Sequence, residues 1–283
     1  MDSLGNLLRM RALDTPDARF LTVGAATYTF AELDRRSDEV AAGLHARGLR
    51  AGDRLALLSP NRAEVVEIFF AVAKLGAIQV PLNAALKGQF LQYQLQQSRA
   101  SVVVVDAEGA DGLAPCLNNL PDLRTVVLLD GAAATKSLNG IATVDYSALA
   151  MAGGAPPAAD VDSVTTMSIM YTSGTTGFPK GCLLSHGYYQ RAAQLVGAGA
   201  EIGAADVLFT PLPLFHAAAM FSTLIAGLVF GVPAVIDSRF NPLTFRNGPR
   251  RSKPPWRSRW APSGVRCSRH PSASPIAPTG CGR

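Results

Sequence analysis

A polar loop near the middle of the chain holds the residues best suited to chemistry. It reads Thr172-Ser-Gly-Thr-Thr-Gly-Phe-Pro-Lys-Gly181 and combines four hydroxyl side chains with three glycines and one lysine. Glycines leave backbone N–H groups open to a ligand, hydroxyls can donate hydrogen bonds, and Lys180 adds positive charge. Such groups bind phosphate oxygens, so the loop is predicted to hold a polyphosphate. The predicted contacts are Thr172, Ser173, Gly174, Thr175, Thr176, Gly177 and Lys180.

The spacing of this loop differs from two well-known phosphate motifs. It contains neither the G-x-x-x-x-G-K-[ST] string of a P-loop nor the G-x-G-x-x-G string of a dinucleotide site. A plain polar surface loop is the alternative interpretation. That alternative gives no reason for Lys180 to follow so many small hydroxylated residues, so phosphate binding is favoured.

Regular elements on both sides must position the loop. Residues 166–171 are predicted as a strand leading into it, and residues 183–196 as a helix following it. Upstream, helices alternate with short apolar runs, which predicts an α/β fold of parallel strands joined by crossover helices. The predicted elements are a helix within 28–50 that opens on a Thr29–Glu32 capping box, strands 55–58, 77–80, 101–105 and 125–129, and helices 64–74 and 89–97. Residues 131–159 are predicted as a surface connection with at most one short element.

The charge of the chain is divided unevenly. It has 283 residues, 48% of them apolar, with 26 Lys and Arg against 21 Asp and Glu, for a net charge of +5. Residues 246–283 hold eight Arg, one Lys and no acidic residue, so the preceding body is mildly acidic. The tail 241–283 is rich in Pro, Arg and Ser and poor in periodic apolar residues, and is therefore predicted to be disordered.

Cysteine usage and hydropathy indicate a cytoplasmic protein. The four cysteines show neither the pairing of a metal site nor the density of a disulfide scaffold, so no protein-bound metal is expected. The N-terminus lacks the features of a secretion signal. The apolar stretch 217–236 is as long as a membrane span, but Gly231-Val-Pro233 interrupts it. A buried helix ending at Phe230, a turn and a strand 234–236 are predicted instead.

The loop resembles the phosphate-binding signature of the AMP-forming adenylating enzymes, which include acyl-CoA synthetases, peptide-synthetase adenylation domains and luciferases. Two more segments resemble the same family in the expected order. Residues 28–33 through 76–83 are similar to its N-terminal region, and Pro211-Leu-Pro-Leu-Phe-His216 to the segment that brings a histidine to the acyl pocket. The resemblance implies an incomplete adenylation domain over residues 1–240, followed by an unrelated tail over 241–283.

The resemblance implies a two-step reaction. A carboxylate attacks the α-phosphate of ATP to give an acyl-adenylate and pyrophosphate, and the acyl group then passes to a thiol such as that of CoA. ATP, Mg²⁺, CoA and a carboxylic acid are the implied cofactors and partners, and fatty acid metabolism is one implied setting. By the same resemblance the phosphate loop positions the nucleotide, while His216 and Phe215 shape the acyl pocket, with Met220 as a further lining residue.

Other parts of the family pattern are not found in this sequence. It shows no Tyr-Gly-x-Thr-Glu string, no Thr-Gly-Asp string, no hinge and no C-terminal lysine domain. We therefore expect no complete catalytic set and little or no activity for this chain, and we interpret the tail as a product of a shifted reading frame. The alternatives are a non-catalytic ATP- or phosphate-binding module, a peptide-synthetase adenylation domain, and a basic tail that binds nucleic acid through Trp256 and Trp260.

Overall fold

The computed structural model describes residues 2–131, 138–150, 154, 156, 159–172, 177–238, 256–261 and 264–269. Its helices are α1 Leu4–Asp14, α2 Phe30–Ala46, α3 Ala63–Leu75, α4 Gly88–Ser98, α5 Ala107–Leu113, α6 Tyr146–Ala150, α7 His186–Gly199, α8 Ala217–Ala219 and α9 Ala226–Phe230, with a 3₁₀ helix Ala114–Asn119 and a π-helix Met220–Ile225. Its strands are β1 Arg19–Val23, β2 Ala26–Thr29, β3 Arg54–Leu58, β4 Ile78–Leu82, β5 Val102–Val105, β6 Thr125–Leu128, β7 Ala142–Asp145, β8 Thr166–Thr172, β9 Lys180–Ser185, β10 Asp206–Thr210, β11 Ala234–Ile236, β12 Trp256–Ala261 and β13 Gly264–Arg269.

A seven-stranded sheet carries the loop that the sequence singles out. Its strand order is β7-β6-β5-β3-β4-β8-β9. Neighbouring strands are parallel except for β8 and β9, which form an antiparallel pair. Helices α3, α4 and α5 connect its parallel strands, so the predicted α/β class is confirmed.

The second sheet has the strand order β12-β13-β10-β11-β1-β2. Strands β1, β11 and β10 are mutually parallel, whereas β2 and β13 run antiparallel to their neighbours. Strands β12 and β13 lie within the tail 241–283, whose disorder stays a prediction. Strand β13 pairs with β10, and β12 pairs with β13. Apart from these strands, the tail from residue 241 on lies outside the described residues.

Local sequence signals explain where the helices near the site begin and end. The Thr29 hydroxyl accepts a hydrogen bond from the Glu32 N–H, and the Glu32 carboxylate accepts one from the Thr29 N–H, which confirms the predicted capping box. Helix α3 ends at Gly76, whose φ of 64° is left-handed and favours glycine. Side chains of α3 join a buried cluster that contains residues of both sheets. Helix α3 is therefore the apolar centre between them.

Three predicted elements need correction. Residues 180–185 form strand β9, so the predicted helix 183–196 does not begin at Leu183; α7 begins only at His186, after Ser185 caps it. Strand β4 does not end before Pro81 but continues through it. At Pro81 its register partner is in β3, whereas β8 pairs with β4 at Gln79. The connection 131–159 contains both β7 and α6 rather than at most one element.

The apolar stretch 217–236 has the predicted form. Helical segments run from Ala217 to Phe230, Gly231 adopts a left-handed φ of 67°, and β11 follows. Within the described ranges, the structure contains no helix of the length and hydropathy needed to span a membrane.

A buried carboxylate on α3 forms hydrogen bonds with three other elements. Glu67 is 2% exposed and accepts hydrogen bonds from the Tyr28 hydroxyl at 2.6 Å, the Tyr146 hydroxyl at 2.5 Å and the Arg36 guanidinium at 3.1 Å. Burial, with the negative charge of Glu67 alongside, raises the pKa of both tyrosines. Since all its donors come from other elements, Glu67 links β2, α2 and α6 to α3.

A buried histidine makes the stability of the fold depend on pH. His186 is fully buried, its Nδ1 accepts a hydrogen bond from the Leu4 N–H at 3.1 Å, and its Nε2 has no partner among the described residues. Burial lowers the pKa of His186 to about 4, below the value of about 6.5 for an unfolded chain. The neutral ring therefore stabilises the folded state above pH 6.5, and this stability is lost as the pH falls toward 4.

Because of this histidine, we expect the free energy of unfolding to fall by about 2 kcal/mol when the pH is lowered from 7 to 5. Urea denaturation of the wild-type chain and of His186→Asn at both pH values measures the effect. The asparagine variant should be less stable at pH 7 but should lose about 2 kcal/mol less than the wild type on acidification. Equal losses in the two proteins would show that His186 does not titrate in this way.

Candidate functional site

The polar loop lies at the tip of the β8–β9 hairpin. Thr172 and Lys180 are register partners at its two ends, and the Thr172 hydroxyl donates a long hydrogen bond of 3.4 Å to the Lys180 carbonyl. Both residues are exposed. Gly177 has a φ of 145°, which favours glycine, and the space where a Cβ would lie is open. The remaining predicted contacts, Ser173, Gly174, Thr175 and Thr176, lie outside the described residues and stay predictions.

The charge of Lys180 is available to a ligand. No carboxylate of the described residues forms an ion pair with its ammonium group, whereas Lys87 and Arg99 pair with Glu108 and Asp122. Hydrogen bonds between an ammonium group and phosphate oxygens are among the stronger ones in proteins. An exposed, unneutralised lysine beside the Thr172 hydroxyl is therefore well placed to hold an anion.

Buried contacts fix the strand that enters the loop. The Ser168 hydroxyl of β8 lies 2.8 Å from the Tyr189 hydroxyl of α7, and both residues are fully buried. The Tyr171 hydroxyl donates to the Gln94 carbonyl of α4 at 3.1 Å, and burial raises the pKa of Tyr171 to about 12. Strand β8 is thus held from both faces, so its last residue, Thr172, has a defined position.

An aromatic cluster holds the part of the loop that leads into β9. The Phe178 ring stacks on the Tyr93 ring of α4 with centroids 4.5 Å apart, and lies 5.5 Å from the Phe90 ring. Such pairs contribute about 0.5–1.5 kcal/mol beyond burial. The sequence analysis did not identify Phe90 and Tyr93, because their spacing on α4 gives no sign of the partner that the hairpin brings to them.

The second predicted group, Phe215 and His216, follows β10. The His216 side chain is exposed, its backbone occupies the N-cap of α8, and its ring centroid lies 4.4 Å from that of Phe215. Phe215 is half-buried. Within the described part of the chain, no hydrogen bond, ion pair or ring contact joins this pair to Thr172 or Lys180.

A buried asparagine fixes the segment that carries Phe215 and His216. Asn61 is 4% exposed, and its amide N–H groups donate to the Leu212 carbonyl at 3.0 Å and the Asp237 carbonyl at 2.8 Å. Its side-chain oxygen accepts from the Leu214 N–H at 2.7 Å. Asn61 thereby joins the end of β3 to the segments after β10 and β11. Its contacts lie more than 150 residues away in sequence, which is why sequence patterns did not reveal its role.

A narrow cavity lies beneath Phe215, between α3, the carboxyl ends of β3 and β4, and the helix that follows His216. It measures about 10 Å³, which is room for about one water molecule. Phe215 and Met220 line it, and His216 does not. The full lining is Leu57, Ser59, Val65, Val66, Phe69, Gln79, Pro81, Leu82, Leu214, Phe215, Met220 and Leu224. The cavity is therefore largely apolar.

Carboxylate and imidazole groups do not converge in the part of the chain that the structure describes. No three His, Cys, Asp or Glu residues there lie close enough together to hold a metal ion.

Sequence comparison identifies the family. The model of the AMP-binding enzyme family matches residues 8–248. The chain belongs to the AMP-binding enzyme family. Among its relatives are a feruloyl-CoA synthase of Amycolatopsis sp., 34% identical over 239 residues that cover 84% of this chain and 45% of the relative, and the long-chain-fatty-acid–CoA ligase FadD13 of Mycobacterium tuberculosis H37Rv, 31% identical over 85% of this chain and 46% of the relative. The chain thus spans a little under half the length of these relatives.

Solved structures of the AMP-binding enzyme family support the same assignment. The chain superposes with a TM-score of 0.77 on a putative long-chain-fatty-acid CoA ligase from Rhodopseudomonas palustris, at 27% identity over 87% of this chain and 60% of that one. It superposes with the same score on the anthranilate CoA ligase AuaEII bound to anthranoyl-AMP, at 26% identity over 87% of this chain and 46% of that one. The two-sheet α/β fold is that of the N-terminal region of these CoA ligases.

Proposed function

We propose that the chain is the N-terminal part of an ATP-dependent, AMP-forming carboxylic acid–CoA ligase. The observation that carries the proposal is the family match over residues 8–248, which includes a hairpin with an exposed Lys180 and Thr172 at its open end. The activities of its relatives, a feruloyl-CoA synthase and a long-chain-fatty-acid–CoA ligase, support CoA as the thiol acceptor.

In the proposed reaction, a carboxylate oxygen bonds to the α-phosphorus of ATP while the bond to pyrophosphate breaks. The CoA sulfur then attacks the acyl carbon and AMP leaves. Because carboxylate and triphosphate repel each other, cationic and N–H donors must hold the phosphates. Lys180 and the Thr172 hydroxyl serve that purpose here, together with Ser173 to Gly177. Mg²⁺ would be held mainly by phosphate oxygens, which suits its usual reliance on few carboxylates.

The acyl group is proposed to lie against the segment that Asn61 fixes. Phe215, Leu214 and Met220 offer apolar surface, and the exposed His216 ring stands beside Phe215. This favours acids with an apolar body, including those of fatty acid metabolism. We propose a cytoplasmic location, since Cys116 and Cys182 are free thiols, as expected in a reducing compartment.

We further propose that these 283 residues do not catalyse adenylation on their own, because they span only about 45% of the relatives' length. Carboxylate-dependent exchange of pyrophosphate into ATP tests this. With ferulate or palmitate as the acid, exchange by the wild-type chain should not exceed that of Lys180→Ala. Robust, acid-dependent exchange that disappears in Lys180→Ala would contradict the proposed incompleteness.

A non-catalytic ATP- or phosphate-binding module is the second candidate, which the exposed and unneutralised Lys180 favours. Joining residues 1–240 to the C-terminal part of the Amycolatopsis feruloyl-CoA synthase separates the two candidates. Restored exchange supports the ligase fragment. ATP binding without exchange, in a fusion that unfolds cooperatively, supports the binding module.

A further inference from the structure

Strand β9 ends the seven-stranded sheet, and no strand of the described residues pairs with its outer edge. Its inner edge pairs with β8. Of the edge strands β2, β7 and β9, only β9 carries an exposed large apolar side chain, Leu183, which is 68% exposed. An apolar edge strand presents N–H and C=O groups to which another strand can bind. Strand β9 is therefore a template for one further strand.

Exposed apolar side chains flank this edge on both faces of the sheet. Ser168 and Tyr171 point to opposite faces of β8, and their hydroxyls bond to α7 and α4, so one helix lies on each face. Five of the eight large apolar side chains that the structure describes as exposed lie on β9, just before it, or on these two helices. We call them the β9 surface: Phe90, Phe178, Leu183, Tyr188 and Leu195.

The β9 surface is large enough for a specific interface between two copies of the chain. Its side chains are 43–68% exposed, which leaves roughly 550 Å² of area open per molecule if a large side chain has about 200 Å². Two copies would bury about 1,100 Å² through these side chains, above the limit of about 1,000 Å² for a specific interface. Exposed apolar patches of this size mark interaction sites.

Strand β9 is also compatible with its own copy. Antiparallel pairing of two identical edge strands about a two-fold axis buries the same surface on both molecules. Lys180, at the start of β9, is the only charged residue of the strand. An axis at Cys182 places Lys180 opposite Leu184 of the second copy, about 13 Å along the strand from the second Lys180. That separation exceeds the screening length of about 8 Å at physiological salt, so the repulsion is weak.

We infer that the 283-residue chain forms a two-fold symmetric dimer, in which the β9 strands of two copies pair antiparallel and the two β9 surfaces pack together. A second copy fits because every molecule carries the same open edge, the same apolar area and a charge placed where it is screened. The inference goes beyond the proposed ligase reaction, since the pairing requires neither nucleotide nor acid.

Sedimentation equilibrium of the 283-residue chain over a range of concentrations tests the association. A species with twice the monomer mass of 29.7 kDa should form and should dissociate on dilution. Since Lys180 and the exposed Arg191 of α7 repel their copies, the dimer should strengthen as salt is raised. A monomer at every concentration would overturn the inference. So would association that weakens with salt, as expected if the basic tail bound a polyanion.

Leu183→Lys places a charge at the centre of the proposed interface and should raise the dissociation constant of the dimer at least about tenfold. Leu13→Lys is the matched control. Leu13 is 77% exposed and lies on α1, outside the β9 surface, so the same change of charge there should alter the constant by about twofold or less. Equal weakening in the two variants would contradict pairing through β9.

Hydrogen–deuterium exchange of the wild-type chain locates the interface without any substitution. The backbone amides of residues 180–185 should exchange more slowly in concentrated than in dilute protein, because pairing gives the outer edge of β9 hydrogen-bond partners. A dimer that protects other segments and leaves 180–185 unchanged would overturn the inference, whatever the behaviour of the two lysine variants.

Discussion

Replacing Glu67 with alanine should lower the free energy of unfolding by about 3–5 kcal/mol, the usual cost of removing one partner from a buried ionic group. The change leaves the Arg36 guanidinium and the hydroxyls of Tyr28 and Tyr146 without their common acceptor. Since these donors come from three elements packed around α3, the loss weakens the centre of the fold. Urea denaturation at pH 7 measures it.

Two further variants make this prediction specific. Glu67→Gln keeps the shape and one acceptor oxygen, so it should cost less than alanine. Glu39 also pairs with Arg36, at 2.8 Å, but near the surface, so Glu39→Ala should cost about 1 kcal/mol or less. If Glu67→Ala and Glu39→Ala cost the same, the buried network does not stabilise the fold as described.

Replacing Lys180 with alanine should weaken ATP binding about ten- to hundredfold, the range expected for losing hydrogen bonds from a charged group to phosphate. The physical reason is that Lys180 carries the positive charge argued for the loop, and no carboxylate of the described residues neutralises it. Isothermal titration of ATP into the 283-residue chain measures the change, and AMP should show a smaller dependence on Lys180.

Arg47→Ala is the matched control for this charge change. Arg47 is exposed at the C-terminal end of α2, so its removal lowers the net charge equally without touching the hairpin. Its ATP affinity should stay within about twofold of the wild type at physiological salt, where distant charges are screened. Equal losses in Lys180→Ala and Arg47→Ala would show that net charge, rather than the loop, attracts ATP.

Local signals predicted much of the fold. The capping box at Thr29 and the terminating Gly76 act through the backbone within one turn of a helix, so the sequence alone is enough to predict them. Strand β9 was mispredicted because Leu183 and Leu184 suit a helix equally well. The segment forms a strand because it pairs with β8 along the length of that strand, from Thr166 to Thr172.

For the site, residue types predicted the chemistry, whereas long-range contacts set the geometry. Lys180 and the hydroxyl residues were identifiable by type alone. The supports were not: Phe178 meets Tyr93 only when the hairpin folds onto α4, and Asn61 meets Leu214 only when the two sheets pack.

Hydrogen–deuterium exchange of the 283-residue chain, with and without ATP, tests the central claim most directly, since it reports where the nucleotide binds. The account predicts that ATP slows exchange in peptides covering residues 172–181, with little change elsewhere, and that Lys180→Ala removes this protection. Protection confined to the basic residues 246–283, or no protection at the hairpin at saturating ATP, would contradict it.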